Sequence, residues 1–392
     1  MWIRGLTLSF LFNHRFSFLC LLSLLTGGLW LVHGIGIIVS PLIIIILKQE
    51  RDKVRRFLLA WIYFAIGSLG LIDAYQQYFH IHTFSVIAVL IWSACACLLA
   101  LPWCGYSQFP HLLGILLIEA LPPMGLIGWL SPLSSLGYWF PGTRYWGLIF
   151  GLILLYCCDK KHLSGMVILV FIAMALNLTY RPPTTPNNWL GVNTSLSPND
   201  SLISLEESLQ HIIASTPSDK NRLVLPESIL PNWFYGTRLW TEKNLSNQLS
   251  LLMGTTTWQN HQPVDAIVLI DHGQALTEPV FSSVFPVPVS MWNPFKKRSY
   301  QASWWPTSFI LDHMRINAII CYDQLLVWPW LSFFITRPTL IIALSNEWWA
   351  TSSLIPDIQT QSRYAWARLL NIPLISARNI SLSSSHCCRV KD

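Results

Sequence analysis

The sequence predicts a chain of two parts. A multi-span α-helical membrane domain covers residues 1–179, an α/β domain covers residues 188–385, and residues 180–187 link them. Three observations carry this prediction. Hydrophobic residues make up 53% of the chain and charged residues 11%, where soluble domains carry roughly 25% charged residues. The long apolar stretches are confined to the first 179 residues. Beyond them, short apolar runs alternate with polar loops, the pattern of buried strands between helices. The content of Trp (20), Phe (19) and Tyr (12) excludes a disordered chain.

Within the first part, about seven apolar stretches fall at 16–32, 34–47, 57–75, 84–100, 109–130, 145–158 and 164–179. Several are shorter than the roughly 20 residues that a perpendicular helix needs. The first two therefore suit a tight hairpin, with Gly27, Gly28, Gly34 and Gly36 permitting a turn and close helix contact. The pair Pro122-Pro123 must break the fifth or divide it into half-helices. Arg4, Arg15, Lys48, Arg51, Lys53, Arg55, Arg56, Lys160 and Lys161 fall in alternate loops, whereas the intervening loops hold only Arg144. Positive residues mark the cytoplasmic side. The N-terminus is thus expected inside and the chain after residue 179 outside. The formal charge of +6 reads as this topology signal, and no nucleic-acid contact is predicted. Residues 1–33 lack the small-residue cleavage site of a signal peptide, since Leu29-Trp30-Leu31 stands in its place.

Residues 180–200 are rich in proline and polar side chains, as a linker is. Helical spacing follows at Ile203, Leu209, Ile212 and Ile213. The runs Leu223–Leu225, Ala266–Ile270, Ala318–Ile320, Leu340–Leu344 and Leu374-Ile375 read as strands. One sheet domain covered by helices accounts for them economically. The cysteines offer no spaced pairs for a disulfide framework: most lie in apolar stretches, Cys387 and Cys388 sit in the tail, and Cys321 alone occupies the α/β part. His211, His261, His272, His313 and His386 show no paired ligand spacing, so no metal is expected. No glycine-rich phosphate loop appears, and no cofactor is expected.

Three strand ends carry polar residues: Leu225-Pro226-Glu227-Ser228, Ile320-Cys321-Tyr322-Asp323 and Ser345-Asn346-Glu347-Trp348-Trp349, of which Glu227 and Cys321 are the candidate reactive groups. In α/β sheets functional groups gather at the carboxyl ends of strands. A glutamate and a thiol delivered there can act as base and nucleophile. A cysteine ending an apolar strand is also a common packing residue. A glutamate after proline is also a common turn residue. Trp348 and Trp349 read equally as an acyl-binding wall or as packing.

These blocks, with Asn371-Ile372-Pro373-Leu374-Ile375-Ser376-Ala377-Arg378-Asn379, resemble the signature blocks of the carbon–nitrogen hydrolase (nitrilase) superfamily. The membrane half before them is similar to the branch that includes apolipoprotein N-acyltransferases. Pro286-Val287-Pro288-Val289-Ser290-Met291-Trp292, Cys321 through Pro329, Ala365-Trp366-Ala367-Arg368-Leu369, Pro122 through Trp129 and Phe140-Pro141-Gly142 look most like the TraB-type conjugal transfer proteins of bacterial plasmids. The resemblance spans nearly the whole chain.

It implies an αββα sandwich and a Glu–Lys–Cys triad in which Glu227 is the base and Cys321 the nucleophile. The family lysine stands a few residues before Phe285-Pro286-Val287-Pro288, where this chain has Phe281-Ser282-Ser283-Val284. The nearest lysines, Lys296 and Lys297, lie beyond the block. Asp323 stands where the hydrolases often have glutamate, and no closing span follows residue 380. Two functions follow. One is a protein of the bacterial inner membrane that transfers acyl groups or hydrolyses amides through a Cys321 thioester, with phospholipid as acyl donor and an amine or protein as acceptor. The other is a pseudo-enzyme that binds partners of the conjugation apparatus. A carrier is a weaker reading, because Asp73 and Glu119 are the few charges within the spans.

Overall fold

The computed structural model describes residues 14–32, 35–197, 200–230, 232–244, 249–350 and 354–380. Arg4, Gly34, His386, Cys387 and Cys388, and the stretch where a closing span was sought, lie outside them. The chain forms two compact units. One takes in residues up to 180 together with 326–328 and 352–370, and the other takes the remainder.

The first unit is helical. Its helices are α1 (His14–Gly28), α2 (Ile35–Val39), α3 (Leu42–Lys48), α4 (Lys53–Gly67), α5 (Gly70–Tyr78), α6 (Val86–Ala100), α7 (Phe109–Ala120), α8 (Leu136–Trp139), α9 (Tyr145–Lys160) and α10 (Leu163–Thr179), with the later helix Ile355–Leu370. Each expected apolar stretch contains helix among the described residues. Among the described residues two helices, His14–Leu31 and Val86–Gly105, are long and apolar enough to cross a membrane; α4 with α5 makes a third if a pair bent by 48° counts as one span. The fifth stretch is helical only to Ala120, because the following Pro122-Pro123 cannot continue it, and a short 3-10 turn over Met124–Ile127 replaces the second half-helix.

Caps and small residues set these elements. Asp52 accepts from the Arg55 N–H at the start of α4, and Ser85 accepts from the Ala88 N–H at the start of α6. At Gly27, α1 lies so close to α4 that a Cβ would stand 2.6 Å from the Tyr63 carbonyl oxygen. Three interior polar side chains are linked in pairs to partners: Trp30 Nε1 donates to Tyr63 Oη (2.9 Å), which donates to the Leu130 carbonyl (3.0 Å), and Trp103 Nε1 donates to Glu119 (2.5 Å). Outward faces present Leu90, Leu163, Phe171 and Leu178. Exposed apolar surface of this kind marks contact with lipid or a partner.

The second unit holds two mixed sheets. The first runs β1 (Trp189–Gly191), β2 (Arg222–Leu225), β3 (Ser250–Gln259), β4 (Gln262–Asp271) and β5 (Gln274–Ala275) in order, with β6 (Phe281–Ser282) also on β4. β1, β2 and β3 are parallel and β4 is antiparallel to β3. Alternation along the strands divides its faces. Leu223, Leu225, Leu251, Met253, Val268 and Ile270 form a core with Leu205 and Leu209 of α11 (Leu202–Ala214), which starts at the Ser201 cap. A shorter helix, α12 (Tyr235–Asn244), precedes β3. The second sheet has the order β10 (Leu374–Asn379), β9 (Leu340–Asn346), β8 (Met314–Ile320) and β7 (Ser308–Leu311), with the first three parallel. Leu340–Leu344 are wholly buried, as the continuous apolar run predicts. The last helix of this part, α13 (Val327–Thr336), lies between β8 and β9 in sequence, and Thr336 Oγ1 accepts from Asn317 Nδ2 (3.0 Å).

The sheets are joined at several points. Thr194 bridges to Asn379 beside β10, and the Arg222 guanidinium of β2 grips Asp312 in the β7–β8 turn with two bonds of 2.8 and 2.9 Å. The single sheet domain read from the runs is thus two sheets. The run at Val192 lies just beyond β1, and β3 is an additional strand.

Candidate active site

Glu227 leaves the carboxyl end of β2, and Cys321 stands immediately after β8. They come from different sheets. Both are buried, at 5% exposure each. Their side chains are hydrogen-bonded to each other, the thiol donating to the carboxylate. The Asn346 N–H, at the end of β9, bonds to Glu227 Oε2 (3.1 Å) and also faces the Cys321 sulfur. The three strand ends named from the sequence therefore meet at one point.

Local backbone explains the placement. Cys321 has φ of +43°, a left-handed conformation that ordinary residues rarely adopt, and it opens a 3-10 turn over Cys321–Leu325. Strain of this sort persists where surrounding contacts enforce it. Gln324 Nε2 donates to the Leu344 carbonyl (2.8 Å), and the Asp323 carboxylate accepts from the N–H groups of Val284 (2.9 Å) and Phe285 (2.8 Å) and from the Ser283 hydroxyl (3.2 Å). Asp323 thus pins the cysteine turn to the segment that follows β6, a structural task that its sequence block did not reveal.

Beneath Glu227 lies Gly254 of β3, where a Cβ would stand 2.5 Å from the Glu227 Cα. Gly254→Ala is expected to displace Glu227 and destabilise the unit by about 1–3 kcal/mol. A lowered unfolding midpoint together with slower alkylation of Cys321 is the expected pair of results; an unchanged midpoint would show that the strands can separate without cost.

Glu347 takes a separate role. It accepts from Ser345 Oγ (2.6 Å) and forms a multiply bonded ion pair with Arg378, at 3.0 and 2.5 Å. Arg378 is therefore committed to Glu347. Beside it, Asn379 accepts from Thr194 and Leu196 and donates to Asn346 Oδ1, which steadies the segment carrying the shared N–H.

Asp265 was not singled out by sequence reasoning. The register pairs Met253 with both Leu225 and Val268, and Thr256 with Asp265. Asp265 therefore lies three positions further along β3, toward the end from which Glu227 emerges. It is 3% exposed; the charge of Glu227 acts on it, and its own charge acts on Cys321. The one available signal was an acidic side chain inside the apolar run Val264–Ile270. Ser283, in the segment where the family lysine was sought, bonds to Asp323 and donates its N–H to the Asp265 carbonyl (2.7 Å). Lys296 and Lys297 are exposed.

The electrostatic result is a buried acidic cluster. Burial, then the charge of Glu227, push the Cys321 thiol well above its usual range. Burial raises Glu227 to about 7, against the bonds from Cys321 and Asn346. Burial also raises Asp323 to about 7 and holds Asp265 well above the carboxylate range. The resting sulfur is a thiol, hydrogen-bonded to a carboxylate that can accept its proton. Among the described residues no group of three or more metal-ligating side chains gathers.

A glutamate and a strained cysteine meeting from two sheets define a thiol-centred α/β site, the class implied by the carbon–nitrogen hydrolase resemblance. The particular relatives are conjugal transfer proteins. The chain is 28% identical over 295 residues to the conjugal transfer protein TraB of Agrobacterium fabrum, covering 70% of this chain and 68% of that protein. It is 28% identical over 293 residues to a probable TraB of Sinorhizobium fredii, covering 69% and 72%. Among solved structures, an amidase from Nesterenkonia sp. AN1 is similar with a TM-score of 0.34 at 13% identity, over 48% of this chain and 74% of that one. A glutamine-dependent NAD+ synthetase from Acinetobacter baumannii is similar with a TM-score of 0.32 at 13% identity, over 40% and 31%. No family model matches the chain.

Proposed function

We propose that this chain is a membrane-bound, carbon–nitrogen-hydrolase-like protein of plasmid conjugal transfer that forms a thioester at Cys321. The observation that carries the chemistry is the Glu227–Cys321 hydrogen bond with the Asn346 N–H facing both groups. The conjugation role rests on the relatives, which are named for it. In this reading Glu227 accepts the thiol proton while the sulfur–carbon bond forms. The carbon–nitrogen or carbon–oxygen bond then breaks, and Glu227 returns the proton to the leaving amine or alcohol. Water or an acceptor amine next attacks the thioester, gives a proton through Glu227, and restores the thiol. Phospholipid is the proposed acyl donor and an amine or protein the acceptor. The proposed setting is the inner membrane, crossed several times by the first 179 residues, with the N-terminus cytoplasmic and the second unit outside.

A specific observation favours a second reading. The charges that act most on Cys321, those of Glu227 and Asp265, are both negative. In that reading the site is catalytically degenerate, and the fold serves assembly or partner binding.

Peptide mass spectrometry of Cys321 in purified membranes, with and without hydroxylamine, separates the two. A hydroxylamine-sensitive acyl adduct is expected, absent from Cys321→Ser and reduced about 10²–10⁴-fold in formation rate by Glu227→Gln, the usual range for loss of a general base. A bare thiol in membranes, combined with undiminished plasmid transfer by Cys321→Ala, would leave only the degenerate reading.

A further inference from the structure

We infer that the loop between β6 and β7 docks on the surface of an anionic phospholipid bilayer through Phe295 and the basic triplet Lys296-Lys297-Arg298. Phe295 is 96% exposed, and the three cations beside it are exposed as well. An aromatic ring held almost entirely in water has no packing role within the unit. Three adjacent cations add a field that attracts anionic headgroups. No aspartate or glutamate occurs between Glu278 and Asp312, so nothing within the loop neutralises that field.

The tip is a built feature. Asn293 Oδ1 accepts from the Phe295 N–H (3.0 Å), the Lys296 N–H donates to the Asn293 carbonyl (3.1 Å), and Ser299 Oγ accepts from the Asn293 N–H (2.8 Å). The Tyr300 N–H closes the loop onto the Met291 carbonyl (3.1 Å), and the Gln301 N–H anchors it to the Pro263 carbonyl (2.9 Å). Phe295 is thus presented on a fixed turn, which lowers the ordering cost of burying it. Trp304 and Trp305, about half exposed, follow the tip in the same loop. Tryptophan is enriched at membrane–water interfaces, where its ring and N–H sit at headgroup level.

The occupant is chosen by charge and covalent continuity. The same chain carries two helices long and apolar enough to cross a membrane, so a bilayer is available to the loop at high effective concentration. A single-stranded nucleic acid would also pair with the cations and stack on the ring, but only the bilayer is tethered to the loop through the chain itself. This inference goes beyond the thioester proposal and does not depend on Cys321 being reactive.

The test places a photoreactive phenylalanine analogue at position 295 of the full chain in lipid nanodiscs, with single-stranded DNA added to half the samples. Phospholipid adducts are expected in discs containing phosphatidylglycerol and fewer in discs of phosphatidylcholine alone. Neutralising the tip (Lys296→Gln, Lys297→Gln, Arg298→Gln together) is expected to lower partition onto anionic surface roughly 100-fold, at the usual contribution per basic residue. Adducts to the DNA in place of lipid, no lipid adduct in either disc, or lipid adducts indifferent to both headgroup charge and the three glutamines would each overturn the inference. Retained unfolding midpoint in the triple variant keeps a loss of adducts from being read as misfolding.

Discussion

Alkylation of Cys321 near neutral pH is expected to quicken about 10–100-fold in Ser283→Lys, the change that a thiol pKa lowered by one to two units would produce. Ser283 is 1% exposed and bonds to Asp323 through its hydroxyl and to the Asp265 carbonyl through its N–H. An ammonium introduced there enters a group of buried acids, and the guanidinium of β10, Arg378, is already held by Glu347. Burying a lysine is costly in apolar surroundings, but neighbouring carboxylates repay much of that cost. The same positive charge favours the thiolate over the thiol and offers a donor to an oxyanion, where loss of one such donor costs about 10²–10³ in rate. Iodoacetamide kinetics on folded protein check the prediction. An unchanged rate in a variant with an unchanged unfolding midpoint would mean that the thiol is limited by access and not by charge.

The pH dependence of stability should run opposite to that of most proteins over the neutral range. Glu227 and Asp323 are each raised to about 7 in the folded state, from unfolded values near 4. The folded chain therefore binds more protons than the unfolded chain between these limits, and stability falls as pH rises. Their contribution is complete below about pH 4, is lost progressively toward pH 7, and is flat above it. The total is on the order of several kcal/mol. Asp312 acts in the other direction: its bonds to Arg222 depress it, and its contribution disappears only in stronger acid. A maximum near pH 5 is the expected outcome of thermal unfolding in detergent from pH 4 to 8. Glu227→Gln should remove a large share of the slope. A midpoint that rises from pH 5 to 8 would show that the cluster opens to water.

Much of the second unit was legible because burial on both faces leaves unbroken apolar runs, as at Ala318–Ile320 and Leu340–Leu344. The strand over Ser250–Gln259 was not legible: Gly254 and the run Thr255-Thr256-Thr257 dilute its apolar signal, although these positions are buried. That strand is central, so its omission also hid the register that brings Asp265 toward Glu227. The site residues Glu227 and Cys321 were named from strand ends and family blocks, and the hydrogen bond between them followed only from docking two sheets. The role of Asp323 was hidden for the same reason, since its partners Val284 and Phe285 lie in the segment that follows β6 of the other sheet. In the first unit the apolar stretches located the helices but overstated their lengths. Where the fifth stretch had been drawn through to residue 130, the helix stops at Ala120, and its apolar residues beyond the prolines pack without helix.

The division of the thiol and its base between two sheets has a consequence for biogenesis. Each sheet closes mainly through its own neighbouring segments, whereas Glu227 and Cys321 meet only when distant parts of the chain have come together. Contacts of such long sequence separation form late and slowly. A newly made chain therefore carries an exposed thiol until the two sheets dock, and only then is the sulfur buried beside Glu227 and its ionisation suppressed. Protection of that sulfur from a small alkylating reagent, followed in time during refolding, would serve as a clock for completion of the domain.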